Sequence, residues 1–283
     1  MKKILITGSS GFIGKNFIDK YKNKYEIISI SRDSNYDILD IDTFLDISDI
    51  DVVLHFAAKT YVPESFENPY SFYRFNINST LNICEFCRIK KVKKLIFLNS
   101  YPYGKPSYLP IDEDHPISLH SPYNKSKYLS EELIFNYLDN SVDVISLRIF
   151  NIYGKNQNNK FLIPFIFEQI KDGTITVNDL EPKRDYLYIE DLLSLMDNII
   201  NQQIKGIFNV GSGESYNVLE VINCISDILG KEFKIISNNN RRENEIMNCV
   251  ANIEKIKKIL NWSPLFSLKK GLIDYIKKEK IDV

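Results

Sequence analysis

The stretch Lys3-Ile4-Leu5-Ile6-Thr7-Gly8-Ser9-Ser10-Gly11-Phe12-Ile13-Gly14 decides the fold. An apolar run short enough for one buried strand ends in three glycines spaced three apart, and a helix-length segment follows. Glycines at such a turn let backbone N–H groups and a helix N-terminus approach a pyrophosphate. The Gly-x-x-Gly-x-x-Gly spacing departs from Gly-x-Gly-x-x-Gly, but its strand-turn-helix context is that of a dinucleotide site. Gly8, Ser10, Gly11, Phe12, Ile13 and Gly14 are therefore the expected cofactor turn. The apolar and acidic stretch from Tyr25 to Asp40 completes the strand-helix-strand unit.

Outward from that unit, apolar runs at 3–7, 26–30, 52–56, 94–98 and 142–149 alternate with helix-length segments at 13–22, 70–90 and 123–139. This alternation predicts an α/β fold, a Rossmann-type, mostly parallel sheet with helices on both faces. Beyond residue 155 the spacing loosens. Helices are expected over 161–171, 191–202, 218–229 and 253–260, and a strand over 206–210. Residues 1–155 are the expected dinucleotide-binding region. Residues 156–283 are expected to form mainly a smaller α/β substrate-binding region, with some segments returning to the core, closing a substrate cleft at the carboxyl ends of the sheet.

The 283 residues suffice for a large core, and 36 Lys and Arg against 37 Asp and Glu leave a formal net charge of -1. That balance argues against nucleic acid or an anionic membrane as the main partner. No uncharged stretch reaches membrane-spanning length, and a cytoplasmic location is expected. Cys84 and Cys87 lie three apart in a periodic apolar run, which suits packing better than redox or metal chemistry. His55, His115 and His120 lack zinc-ligand spacing, so no metal is expected.

Tyr123-Asn124-Lys125-Ser126-Lys127 follows Pro122 at the start of a predicted helix. One turn apart, Tyr123 and Lys127 share a face, and an ammonium beside a phenol favours the phenolate. Tyr123 is thus a candidate acid/base and Lys127 its partner.

With these residues the chain resembles the extended short-chain dehydrogenase/reductases, in the NAD-dependent epimerase/dehydratase family that acts on nucleotide sugars. The resemblance covers nearly the whole chain. It comprises Gly8-x-x-Gly11-x-x-Gly14, Asp37-Ile38-Leu39-Asp40, His55-Phe56-Ala57-Ala58, Asn76-Ile77-Asn78-Ser79-Thr80, Tyr103-Gly104, Tyr123-x-x-x-Lys127 and Leu147-Arg148-Ile149-Phe150-Asn151-Ile152-Tyr153-Gly154. It implies that Tyr123 exchanges the proton, that Lys127 holds the nicotinamide ribose, and that Asn76 supports the relay. Asp37, Ile38, Phe56, Ala57 and Ala58 join the cofactor site by the same resemblance. A hydroxyl that meets the reacting sugar oxygen is expected in Asn99-Ser100-Tyr101-Pro102-Tyr103-Gly104. Counting back from Gly104 gives Asn99, whereas a one-residue adjustment gives Ser100. Ser100 is preferred because a hydroxyl both donates and accepts. The loop lacks the Thr-Asp-Glu that similar dehydratases carry.

At the end of the second strand, Ser31 and Arg32 precede Asp33. A hydroxyl and guanidinium suit a 2′-phosphate, and an acid suits a ribose diol. NADP(H) is favoured on that basis and NAD(H) is the alternative. Arg184, in Lys183-Arg184-Asp185-Tyr186, resembles the family's substrate-side arginine, with Arg241, Arg242 and Asn151 as further candidates for a nucleotide-diphosphate sugar. The expected reaction is NADPH-dependent reduction of a nucleotide-linked 4-keto-6-deoxy sugar. The alternatives are a nucleotide-sugar 4-epimerase that keeps NAD bound, and a dinucleotide-sensing or assembly protein with Asn99 marking a decayed loop. The resemblance implies a homodimer with a four-helix interface near 70–90 and 123–139, and Phe72/Phe75/Ser79 and Leu129/Leu133/Tyr137 are faces that suit either that interface or the protein's own sheet.

Overall fold

The computed structural model describes residues 1–138, 140–242 and 245–281. Its first half contains β1 (Lys3–Thr7), α1 (Phe12–Tyr21), β2 (Glu26–Ile30), β3 (Val52–His55), α2 (Val62–Glu67), α3 (Pro69–Lys90), β4 (Lys94–Ser100), α4 (Pro122–Tyr137) and β5 (Asp143–Ile149). The second half contains β6 (Asn151–Tyr153), α5 (Leu162–Gln169), β7 (Thr174–Val177), β8 (Lys183–Tyr188), α6 (Ile189–Asn201), β9 (Gly206–Val210), β10 (Ser215–Tyr216), α7 (Val218–Leu229), β11 (Lys234–Ser237), β12 (Asn248–Cys249), α8 (Glu254–Leu260) and α9 (Leu268–Glu279). Two compact units result. The first holds 1–102, 117–149 and 196–208, the second 103–116, 150–195 and 209–283.

The first unit is built on the sheet β2-β1-β3-β4-β5-β9, in which β1 through β5 pair in parallel. β3 is wholly buried and β4 and β5 nearly so, which is why these strands are continuous apolar runs. Order reverses between β1 and β3, since β2 lies on one side of β1 and all later strands on the other. Such a switch point opens a crevice at the strands' carboxyl ends. Leu5, Val53, Leu95 and Val144 meet Ile83, Cys84, Phe86 and Cys87 of α3 in the core. Burial pushes the Cys84 thiol up to about 12 and raises that of Cys87, so both pack as small apolar groups. Residues 196–208 are held to the sheet by Lys94 Nζ on the Ile199 carbonyl at 2.7 Å and Lys2 Nζ on that of Ile200 at 2.6 Å. Both ammonium groups meet the carbonyl end of α6, where cations are favoured.

The second unit centres on β8, flanked by β10 and β12 and also paired with β6; β7 and β11 form a separate parallel pair. Its strands are mostly two to four residues long, too short to show a period in the sequence. Asp185 is fully buried. Its Oδ1 accepts the Ser212 N–H at 2.6 Å and hydroxyl at 2.7 Å, and Oδ2 accepts the N–H groups of Gly213 at 3.0 Å and Ala251 at 3.1 Å. Burial still raises this carboxyl, with the hydrogen bonds opposing. Among the described residues no helix is long and apolar enough to cross a membrane.

His55, at the end of β3, has a determined tautomer. Thr80 Oγ1 donates to the Asn76 carbonyl at 2.7 Å, so at 3.1 Å it accepts from His55 Nε2, and Thr7 Oγ1 donates to Nδ1 at 2.7 Å. Burial, aided by the Lys127 charge, lowers the imidazole to about 3. The unfolded chain binds this proton near pH 6.5 and the folded chain does not, so stability falls as pH drops through that value toward 3. Urea unfolding between pH 7 and 4 is expected to show this loss in the native protein and a shallower one in His55→Gln. Parallel pH profiles for the two would remove His55 as its source.

Candidate active site

The glycine turn sits at the switch point. Gly8 has φ +69, and a Cβ there would lie 2.7 Å from the Ala57 nitrogen. A Cβ on Gly14 would lie 2.5 Å from the Gly8 carbonyl oxygen and 2.7 Å from Ser9 Cα. α1 therefore starts against the turn's own backbone. Gly11 is its N-cap, with no side-chain cap and no acid in the first turn, which leaves first-turn amides for a phosphate. Ser10 and Gly11 are exposed and Phe12 and Ile13 half-buried. Phe56 and Ala57 are tied to β1 through the Thr7 carbonyl and hydroxyl, both at 3.2 Å, and Ala58 follows, half-buried. These residues fit a dinucleotide's diphosphate.

At the end of β2, Ser31 Oγ accepts the Asp33 N–H at 3.3 Å, while Arg32 and Asp33 are exposed. Asp37 Oδ1 accepts the Leu39 N–H at 2.9 Å, and the buried Ile38 offers its carbonyl to Asn82. The second strand thus ends in a hydrogen-bonded turn whose guanidinium is open to a ligand.

Ser121 caps α4 by accepting the Asn124 N–H at 3.1 Å, and Pro122 occupies the first turn. This places Tyr123, Lys127 and Glu131 at successive turns of one face. Ser100, at the end of β4, is the polar side chain that acts on the Tyr123 phenol. Burial raises the phenol, and Ser100 opposes that rise. Burial lowers Lys127 to about 7, with Glu131 opposing, and its Nζ lies 3.9 Å from the Phe97 ring centroid.

Asn76 does not reach Tyr123 directly. Its Oδ1 accepts the Lys59 N–H at 2.8 Å, its Nδ2 donates to Ser126 Oγ at 2.9 Å, and Ser126 Oγ donates to the Tyr123 carbonyl at 2.8 Å. It clamps the loop after β3 to the first turn of α4. Asn99 is also committed, with Nδ2 donating to Glu131 Oε2 at 2.8 Å and Oδ1 accepting the Ser100 N–H at 2.8 Å. Each end of that amide thus has a protein partner. The buried Glu131–Arg148 pair behind them, Nη2 to Oε1 at 2.6 Å, escaped the sequence reading. An arginine within the apolar strand Val144–Ile149 was its visible signal, because a buried charge requires a partner.

In the second unit, Asn151 Nδ2 is buried without a hydrogen-bond partner, a donor suited to an acceptor on a ligand. Arg184 is ion-paired with Glu245 and donates to the Lys183 carbonyl at 2.8 Å, so its fork holds protein groups. Arg241 binds Asp179 at 2.6 Å, and Arg242 is exposed. Of the residues expected on a pairing surface, Phe72 and Ser79 are 0% exposed, inside the first unit, and Phe75 packs against the same core. This corrects that expectation: the α3 face chosen from periodicity is the one turned inward. Leu129 and Tyr137 of α4 are exposed and Leu133 half-buried.

The model of the NAD-dependent epimerase/dehydratase family matches residues 4–211. The chain belongs to this family. A Methanocaldococcus jannaschii protein provisionally named a UDP-glucose 4-epimerase is 33% identical, with 95% of each chain covered. The structure of Thermotoga maritima UDP-glucose 4-epimerase with UDP-glucose is 25% identical with a TM-score of 0.90, covering 98% of this chain and 99% of that one. RMD from Pseudomonas aeruginosa complexed with NADPH is likewise 25% identical, with a TM-score of 0.87, covering 98% and 100%. The epimerase/dehydratase glycine turn generates a sharp expectation. Gly14→Ala must drive a methyl into the Gly8 carbonyl and is expected to cost about 1–3 kcal/mol of stability together with dinucleotide affinity. Thermal melts and calorimetric titration with NAD+ check both, and native values in each would contradict the close approach.

Proposed function

We propose that the protein interconverts UDP-linked sugars epimeric at C4, using NAD that stays bound through the cycle. The carrying observation is Tyr123 and Lys127 one turn apart on α4 with Ser100 as the polar neighbour of the phenol, a set able to take a proton from one sugar oxygen and return it. Similarity to UDP-glucose 4-epimerases over nearly the full chain supports this reading above the reductase favoured from the loop sequence. Asn99-Ser100-Tyr101 contains no carboxyl for assisting loss of water.

A nicotinamide held there would supply the hydride acceptor for C4 and, once the 4-keto sugar has turned its opposite face, the hydride donor. Tyr123 takes the proton of the 4-hydroxyl as C4 becomes a carbonyl, and protonates that oxygen again on the way back. Ser100 orients the oxygen and hydrogen-bonds the phenol, and Lys127 binds the nicotinamide ribose and supports the phenolate. Gly8, Ser10, Gly11, Phe12, Ile13 and Gly14 receive the diphosphate, while Phe56, Ala57 and Ala58 border the ring and ribose. Asp37 and Ile38 border the adenosine. Asn151, Arg184, Arg241 and Arg242 serve the nucleotide diphosphate, with Arg184 exchanging Glu245 for the phosphates. Two copies pair through the exposed side of α3 and α4.

UDP-glucose incubated with the NAD-loaded protein is expected to yield UDP-galactose without net change in nicotinamide absorbance. Tyr123→Phe should lower turnover by about a hundredfold or more while dinucleotide binding persists, and Ser100→Ala should lower it more than Asn99→Ala. Near-native turnover in folded Tyr123→Phe would remove the acid/base assignment.

One observation favours NADPH-dependent reduction of a 4-keto sugar instead: Arg32 is exposed at the end of β2, where a 2′-phosphate binds. The epimerase reading expects NAD+ to bind at least as tightly as NADP+, with Arg32→Ala leaving NAD+ affinity unchanged. Tighter NADP(H) binding abolished by Arg32→Ala, with NADPH consumed in the presence of a nucleotide-linked 4-keto sugar, would establish the reductase.

A further inference from the structure

Behind the reacting pair lies a charge that the proposed reaction does not use. Glu131 is 0% exposed, and its carboxylate collects donors from three residues on two strands. Arg148 of β5 binds Oε1 through Nη2 at 2.6 Å and Nε at 3.1 Å, Ser146 of β5 donates to Oε2, and Asn99 of β4 donates to Oε2 at 2.8 Å. Glu131 also stands one turn beyond Lys127 on the same face of α4.

We propose that Glu131 is a positioning residue serving both partners of Tyr123: it is the counter-charge of Lys127, and through Asn99 it fixes Ser100. The second arm follows the bonds. Glu131 orients the Asn99 amide so that Oδ1 faces the Ser100 N–H, which sets the backbone from which the Ser100 side chain acts on the phenol. The first arm is electrostatic. Burial works against the Lys127 ammonium and Glu131 works for it. The other groups facing this lysine are the neutral His55 of β3, the Phe97 ring of β4 and Tyr123; Arg148 lies on Glu131. An unusual asparagine where a hydroxyl residue is expected thereby gains a task, since a serine side chain is too short to join the carboxylate and a neighbouring N–H in this way.

The inference rests on Tyr123 being the acid/base, and the experiment separates the two. Removing Glu131 alone takes from the buried Arg148 the carboxylate that it binds, so the charge arm is tested in Glu131→Gln/Arg148→Gln, with the fold checked by circular dichroism and NAD+ binding. In the [13Cε]lysine NMR spectrum, the resonance that titrates near neutral pH and disappears in Lys127→Arg should move its midpoint down by about half a pH unit or more. In Asn99→Ala the same midpoint should stay, while kcat for UDP-glucose falls about tenfold and KM changes by less than about twofold. An unmoved lysine midpoint in the folded double variant overturns the charge arm, and native kcat in Asn99→Ala overturns the Ser100 arm. The lysine titration reports on Glu131 whether or not Tyr123→Phe retains turnover.

Discussion

The first unit depends on a contact that admits no side chain. α1 is pressed onto the carbonyl of Gly8 and the backbone of Ser9, and Gly8 is pressed onto Ala57, so β1, β3 and α1 converge where two strands part. From there a line of buried hydrogen bonds leads inward. The Ala57 N–H meets Thr7, Thr7 meets His55, His55 meets Thr80, and Thr80 meets the Asn76 carbonyl. The Asn76 amide meets Ser126, whose hydroxyl holds the carbonyl of Tyr123. The donor and acceptor roles follow from one neighbour to the next, so the glycine turn and Tyr123 belong to one hydrogen-bonded frame. A neutral imidazole is essential to it, because only that form donates at one nitrogen and accepts at the other.

Much of this frame was legible in the chain. β1, β2, β9 and α7 occupy the residues expected of them, and α3 and α4 differ from expectation by one or two residues at their ends. Strands buried on both faces announce themselves as apolar runs, and long helices as periodic ones. The second unit lacks both signals. β10 and β12 are two residues long and take their place by pairing with β8, which no local pattern encodes. α9 has Gly271 in its interior, where it suits not the helix but the Tyr153 hydroxyl, 2.0 Å from where a Cβ would stand.

At the candidate site, residue type and spacing identified what shares one helix, and failed where partners come from distant segments. Tyr123 and Lys127 are one turn apart whatever the remainder of the chain does. The partner of the Asn99 amide is the carboxylate of Glu131, 32 residues away, which no local pattern reveals. Arg184 looked like an open fork because Glu245 is 61 residues away. Phe72 and Ser79 looked like an interface because periodicity reveals a face without saying what covers it.

The Asp185 carboxylate has a consequence for how the polypeptide is made. Its four donors come from Ser212, Gly213 and Ala251, the last 66 residues downstream. Until residue 251 has left the ribosome, the Asp185 carboxylate lacks the last of its four donors, the Ala251 N–H. Residues 196–208, which the first sheet takes up through Lys2 and Lys94, emerge earlier. Translation therefore delivers every segment of the dinucleotide-type sheet before the second unit can close around its buried acid, and a nascent chain halted between 208 and 251 holds the former without the latter.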